Sequence, residues 1–201
     1  SMKVKTAITA VILLLILGCQ TVLAETISYI DVRDEWFSSD VLSLSSLGII
    51  NGYPDGTFKP TGDVQVDEFI KMAVIACGYN VENGTSYWGS TYIGKAKEIG
   101  LVHDRDFDKY TRPIVRAEIA RIVARAIKAG KTVPLNEAGF KNNVKDYGQF
   151  PASLKDYIIK AYSFGVIKGY PDGEFKWDKK ASRAEAAAMI MRLLNVNKNP
   201  S

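Results

Sequence analysis

The chain has 201 residues, of which 47% are hydrophobic and 24% charged, with a formal net charge of +4. That composition suits a globular protein with one continuous core, and the charge is too weak for a nucleic-acid surface. His103 is the only histidine, the cysteines number two, and no serine stands in a nucleophile-elbow context, so the sequence reads as a non-enzyme without metal or cofactor.

Residues 1–24 read as a signal peptide: Lys3 and Lys5 precede an apolar run from Val11 to Leu17, which is shorter than the ~20 residues needed to cross a bilayer. Val22-Leu23-Ala24 offers a processing site before Glu25, and Leu15-Ile16-Leu17-Gly18-Cys19 offers a lipobox alternative in which Cys19 is lipidated. Either route predicts export to the cell surface, with no transmembrane helix in the mature protein and Cys77 as a small buried hydrophobe. Losing Lys3 and Lys5 with the leader lowers the formal charge to +2.

Residues 25–82 form a first helix-loop-helix unit. Val41, Leu42, Leu44 and Leu47 have helical spacing and end at Gly48; a Tyr53-Pro54-Asp55-Gly56 turn follows, then a second helix with Phe69, Met72, Ala73 and Ala76. Residues 83–130 repeat the plan with Tyr92, Ile93, Ala96 and Ile99, a stop at Gly100, and Ile119, Ile122, Val123 and Ala126. A linker at 131–139 leads to a third unit at 140–195, with Leu154, Ile158, Ala161 and Tyr162 before Gly165, and Ala186, Met189, Ile190 and Leu193 in its second helix. Residues 196–201 are a polar tail expected to fray. Gly48–Pro60 and Gly165–Trp177 match without a gap, so the chain is three copies of one unit. Helix pairs this short must share a core, and approximate threefold symmetry is expected.

The heads of the second helices carry the chemistry. Ser182-Arg183-Ala184-Glu185 fits a capping box, and Glu68 and Glu118 hold the place of Glu185 in the other units. A cation in the first turn opposes the helix dipole, so capping does not explain Arg183 or its counterpart Arg116. Helix-start amides plus a guanidinium make a site for a carboxylate or phosphate. The other reading pairs both arginines with acidic groups of neighbouring units, and the two roles are compatible. In the first unit Val66 and Asp67 break the pattern, so at most two of three similar grooves are expected to take an anion.

These residues resemble the surface-layer homology domain, in three tandem copies: Ile30-Asp31-Val32 with Trp36, the two Gly-Tyr-Pro-Asp-Gly loops, and Arg-Ala-Glu at Arg116 and Arg183. Val115 stands where the family typically has threonine, the second unit lacks the Tyr-Pro-Asp-Gly loop, Trp177 replaces a proline, and Gln65-Val66-Asp67-Glu68 departs most. The resemblance implies an all-α, three-pronged, pseudo-trimeric fold. It also implies non-covalent binding of secondary cell wall polymer, commonly a pyruvylated polysaccharide, whose carboxylate the motif arginine contacts in grooves between units. Trp36, Tyr53, Trp88 and Tyr170, with Gly52 and Gly169 in the loops, are candidate supporting contacts, a packing role being equally open. A calcium loop from Asp55 fails at Thr57, Lys59 and Pro60. A paired-carboxylate enzyme has no support beyond capping and turn acids. An interaction module for a protein partner or surface-layer component, with a degenerate glycan site, remains.

Overall fold

The computed structural model describes residues 28–131 and 137–199, so the leader and its two processing options lie outside the described residues. The protein is all-α. Unit one contributes α1 (Ser38–Ser46) and α2 (Val66–Ala76), unit two α3 (Ser90–Glu98) and α4 (Arg116–Ala126). Unit three contributes α5 (Glu137–Asn143), a 3-10 turn at Tyr147–Gln149, α6 (Lys155–Ser163) and α7 (Arg183–Lys198). Among the described residues there is no strand, only three isolated bridges.

Glycine ends each first helix as the spacing predicts, with φ of 68°, 76° and 68° at Gly48, Gly100 and Gly165. The Asp-Gly turns place Gly56 and Gly173 at positive φ too. Less expected are Lys59 and Lys176, which sit at φ 57° and 56°, a left-handed conformation that costs an L-residue about 1–2 kcal/mol. Each is held there by a carboxylate from the start of its own unit. Asp31 accepts from the amides of Phe58 and Lys59, both at 2.8 Å. Asp146, 4% exposed, accepts from Phe175 at 2.8 Å and Lys176 at 2.9 Å.

Three expectations need correction. Leu42 and Leu47 are 37% and 56% exposed, because the buried stripe of α1 runs through Val41, Leu44 and Ser45 instead. Helix α5 begins inside the stretch read as linker, since Phe140 is fully buried and draws the turn around it onto the core. The polar tail continues as helix to Lys198: Asn197 donates to the Ala126 carbonyl at 3.0 Å and accepts from the Lys128 amide at 3.1 Å.

Packing crosses the unit boundaries. Helix α1 docks on α7, α3 on α2, and α6 on α4, so each first helix covers the second helix of the unit before it in cyclic order. The second helices α2, α4 and α7 meet one another at the centre. Just ahead of them lie Val64, Ile114 and Ala181, each at most 1% exposed. The Val64 amide donates to the Ala181 carbonyl at 3.1 Å, Ala181 to Ile114 at 3.1 Å, and Ile114 to Val64 at 3.0 Å, closing a ring. Leaving a buried peptide group unpaired costs about 1–3 kcal/mol, so every segment in the ring holds the other two.

Replacing Asp146 by alanine orphans the amide of fully buried Phe175 and frees Lys176 from its left-handed constraint. The unfolding free energy is expected to fall by about 3 kcal/mol, read as a lower urea midpoint at unchanged slope. Asp31→Ala, at the half-buried equivalent, is expected to cost less.

Candidate ligand groove

Each second helix begins against the loop of the following unit. The first two amides of α2 donate to the carbonyls of Arg112 and Tyr110, those of α4 to Lys179 and Trp177, and those of α7 to Gly62 and Pro60, at 2.9–3.0 Å. The expectation of free helix-start amides waiting for an anion is therefore corrected: neighbouring backbone has already taken them. The third amide goes to the cap residue in α4 and α7, and to the Asp67 carboxylate in α2. Ser182 and Glu185 form the reciprocal box at 3.2 and 2.9 Å. Glu68 and Glu118 reach back to the amides of Gln65 and Val115 at 2.8 and 3.1 Å, and Val115 has no hydroxyl to complete the exchange.

What remains for a ligand is the guanidinium itself. Arg183 sends Nε to the Phe58 carbonyl at 2.9 Å and Nη2 to the Asn51 carbonyl at 3.0 Å, and lies over the rings of Phe58 and Tyr53 at 4.6 and 5.0 Å. Arg116 repeats this in unit three: Nε to Phe175 at 2.8 Å, Nη2 to Lys168 at 2.6 Å, with Tyr170 and Phe175 under the cation at 4.6 and 4.9 Å. Arg183 also pairs with an acidic group of a neighbouring unit, Glu68 Oε1 lying 3.9 Å from its Nη1, as the alternative reading expects. Among the described residues Arg116 makes no such pair, and its Nη1 has no hydrogen bond. In both, two donors and a ring face lock the plane; the third nitrogen is left over in Arg116 and faces the Glu68 carboxylate in Arg183. Burial lowers the Arg116 pKa, with Tyr170 and Glu185 opposing, yet an arginine remains charged. Arg116 is 3% exposed, whereas the Arg183 side chain is 12% exposed.

Arg183 also lines a cavity of about 220 Å³. Its floor is apolar, from Ile49, Ile50, Phe58, Val64 and Met72, and Asn51, Glu68, Lys71, Asn83 and Trp88 supply polar and aromatic walls. A second cavity, of about 310 Å³, lies beside Lys168, Gly169 and Tyr170 in unit three. An apolar floor with a few convergent polar groups is the usual form of a small-ligand site.

The residues singled out from sequence thus divide. Arg183, Trp88 and Glu68 meet in the first cavity; Gly169 and Tyr170 line the second, one carbonyl from Arg116. Tyr53 packs on Arg183 and, at 4.0 Å, under the Lys59 ammonium. Gly52 is pressed against Tyr29, whose ring a Cβ there would meet at 2.1 Å, and donates to the Tyr29 hydroxyl at 3.0 Å. Trp36 is 63% exposed, edge-on to Phe37, and lines neither cavity. Sequence reasoning missed Asn51, Lys71 and Asn83, which no repeat motif marks. It also missed Lys179, whose Nζ donates to the Tyr170 hydroxyl at 2.7 Å and lies 4.5 Å from the centroid of that ring.

Glu185 joins cap and groove. Burial pushes its carboxyl up, but the Ser182 amide, the Tyr170 hydroxyl at 2.6 Å and Lys179 outweigh it and hold the pKa below the ordinary value of 4.5. A depressed folded-state pKa stabilises above the unfolded value, and that stability is lost as pH falls through the folded one. Glu185→Gln is therefore expected to lower the unfolding free energy at neutral pH, with the deficit against wild type closing below pH 4.5; denaturation at stepped pH values checks this.

Residues 29–64 and 145–187 match the model of the S-layer homology domain. The chain is 28% identical over 191 residues to Exoglucanase XynX of Acetivibrio thermocellus, covering 89% of this chain and 17% of that protein. From the same organism, Cell surface glycoprotein 1 is 29% identical over 168 residues (72% of this chain, 7% of that protein), and the Cellulosome-anchoring protein is 29% identical over 161 (72% and 35%). The chain spans a small part of each of these relatives, and the exoglucanase's catalytic activity does not transfer with so short a shared stretch. Two loops with the same turn, the same left-handed lysine and the same carboxylate holding it lie in the two matched segments, and residues 29–64 and 145–187 belong to the S-layer homology family.

Proposed function

We propose that this chain is a cell-surface anchoring module that binds secondary cell wall polymer non-covalently through the carboxylate of a pyruvylated sugar. The observation that carries the reading is Arg183, locked by two carbonyls and a ring face, with its third nitrogen 3.9 Å from Glu68 beside a cavity walled by Trp88 and side-chain amides, where a ligand carboxylate would compete with Glu68 for it. A preorganised guanidinium suits a carboxylate, an indole suits a sugar face, and the amides suit hydroxyls. Arg116 with Tyr170 makes the second, more buried contact. The cyclic recurrence of the helix contacts supports the pseudo-threefold arrangement that goes with this function. The relatives' names, a cell surface glycoprotein and a cellulosome-anchoring protein, support location at the cell wall. No helix among the described residues is long and apolar enough to cross a membrane.

Binding to purified polymer with and without its pyruvyl groups tests the reading. Arg183→Ala is expected to weaken binding to the pyruvylated polymer about 10- to 100-fold, the worth of one charge-assisted hydrogen bond. Arg116→Ala is expected to lower thermal stability as well, since its side chain also ties unit two to unit three. Equal affinity for both polymers, or no effect of Arg183→Ala, refutes the carboxylate mechanism.

A second reading, an interaction module for a surface protein, is favoured by one observation. The most exposed large apolar residues, Ile30 at 76%, Trp36 at 63% and Leu47 at 56%, all belong to unit one, the unit without a motif arginine. On this reading Trp36→Ala abolishes pull-down of a surface-layer component while leaving polymer binding unchanged; polymer loss without partner loss counts against it.

A further inference from the structure

The first unit departs from the other two at Val66 and Asp67, and the Asp67 departure has a use. Asp67 occupies the position of Ala117 and Ala184, and is 1% exposed. A carboxylate there needs partners, and it has two: Oδ1 accepts from the Glu68 amide at 2.8 Å, and Oδ2 accepts from the Tyr87 hydroxyl. Tyr87 lies in the segment that joins units one and two, and its ring fits only because Gly89 is a glycine. A Cβ on Gly89 would stand 2.7 Å from the Tyr87 hydroxyl, and one on Gly84 would stand 2.4 Å from the Tyr87 carbonyl oxygen. The segment closes on itself through the Gly84 amide to the Trp88 carbonyl at 3.0 Å and Ser90 Oγ to the Tyr87 carbonyl at 2.8 Å. Fixing Tyr87 thereby fixes its neighbour Trp88 beside Lys71, whose ammonium lies 5.7 Å from the indole.

We infer that Asp67 is a positioning residue for the Arg183 cavity, latching residues 83–89 through Tyr87 so that Trp88 and Asn83 form its wall. Ala117 and Ala184 offer no acceptor at this position; the tyrosine held at the head of α7 is Tyr170 of the same unit's loop, bonded to Glu185 at 2.6 Å, and not one from the segment between units. Burial, and then the bond to Asp67, raises the Tyr87 pKa, which keeps the hydroxyl a donor. Of the two cavities described above, the Arg183 cavity has the indole wall and is built from all three units, and it discriminates sugars differently from the site near Arg116. The consequence for ligand rests on the carboxylate reading above; the latch itself does not.

The test uses the full chain with Trp36→Phe and Trp177→Phe, leaving Trp88 as the only tryptophan. Asp67→Ala, Tyr87→Phe and the double variant are compared at a temperature where all are folded. Acrylamide quenching of Trp88 is expected to rise in both single variants and no further in the double, since both remove one bond. Affinity for the pyruvylated polymer is expected to fall about tenfold in each single variant, the worth of a displaced aromatic contact, again without further loss in the double. A destabilisation that leaves Trp88 quenching unchanged overturns the inference, and so does a displaced Trp88 with undiminished affinity. If the parent chain binds both polymers equally, the carboxylate reading fails by itself, and quenching still decides the latch.

Discussion

The ring of three hydrogen bonds among Val64, Ile114 and Ala181 is the constraint on which the molecule rests. Six backbone groups are removed from water at one point, and each finds its partner in a different unit. No single unit satisfies its own share, and a helix pair of this size buries too little surface to fold alone. The ring therefore makes three short repeats one domain. It also sets the helix heads so near the neighbouring loops that the first amides of α2, α4 and α7 are used up as cross-unit bonds.

That closeness decides what the arginines are. Each extends from the head of one unit's helix into the loop of the next, where two carbonyls at the loop's base meet it. The carbonyls are available because the Asp31 and Asp146 carboxylates fold the loop tightly on its other side, through the left-handed lysines. A guanidinium fastened at two corners and stacked on a ring would lose little freedom on meeting a ligand, so the group that holds the units together is also the one suited to the proposed anion. The structural role and the proposed binding role share a cause.

The units have diverged on this common frame. Arg116 is sealed in, Arg183 stands beside a cavity, and unit one has exchanged cation for carboxylate. In that exchange Val66 fills the apolar space, being fully buried, while Asp67 ties down the connection to unit two. Tyr29 against Gly52 shows the same local repacking: unit one fills with a tyrosine from its start the space that unit three lines with Tyr162, near Gly169.

Much of this was written locally. Apolar spacing gave the helices, Gly48, Gly100 and Gly165 their ends, and Ser182 with Glu185 the cap, because hydrogen bonds and backbone sterics over a few residues depend on little else. The family resemblance was equally visible in the repeated loops, and the motif arginines in the helix heads. Sequence misjudged Leu42 and Leu47, the start of α5 and the end of α7, where contacts from distant segments decide burial. It also left the helix-head amides free, since nothing within the unit uses them. Only tertiary structure brought Asn51, Lys71, Asn83 and Trp88 around Arg183, residues up to 132 positions apart in hydrogen-bond contact. A cavity wall is a property of surfaces that meet, and local sequence carries no record of which surfaces those will be.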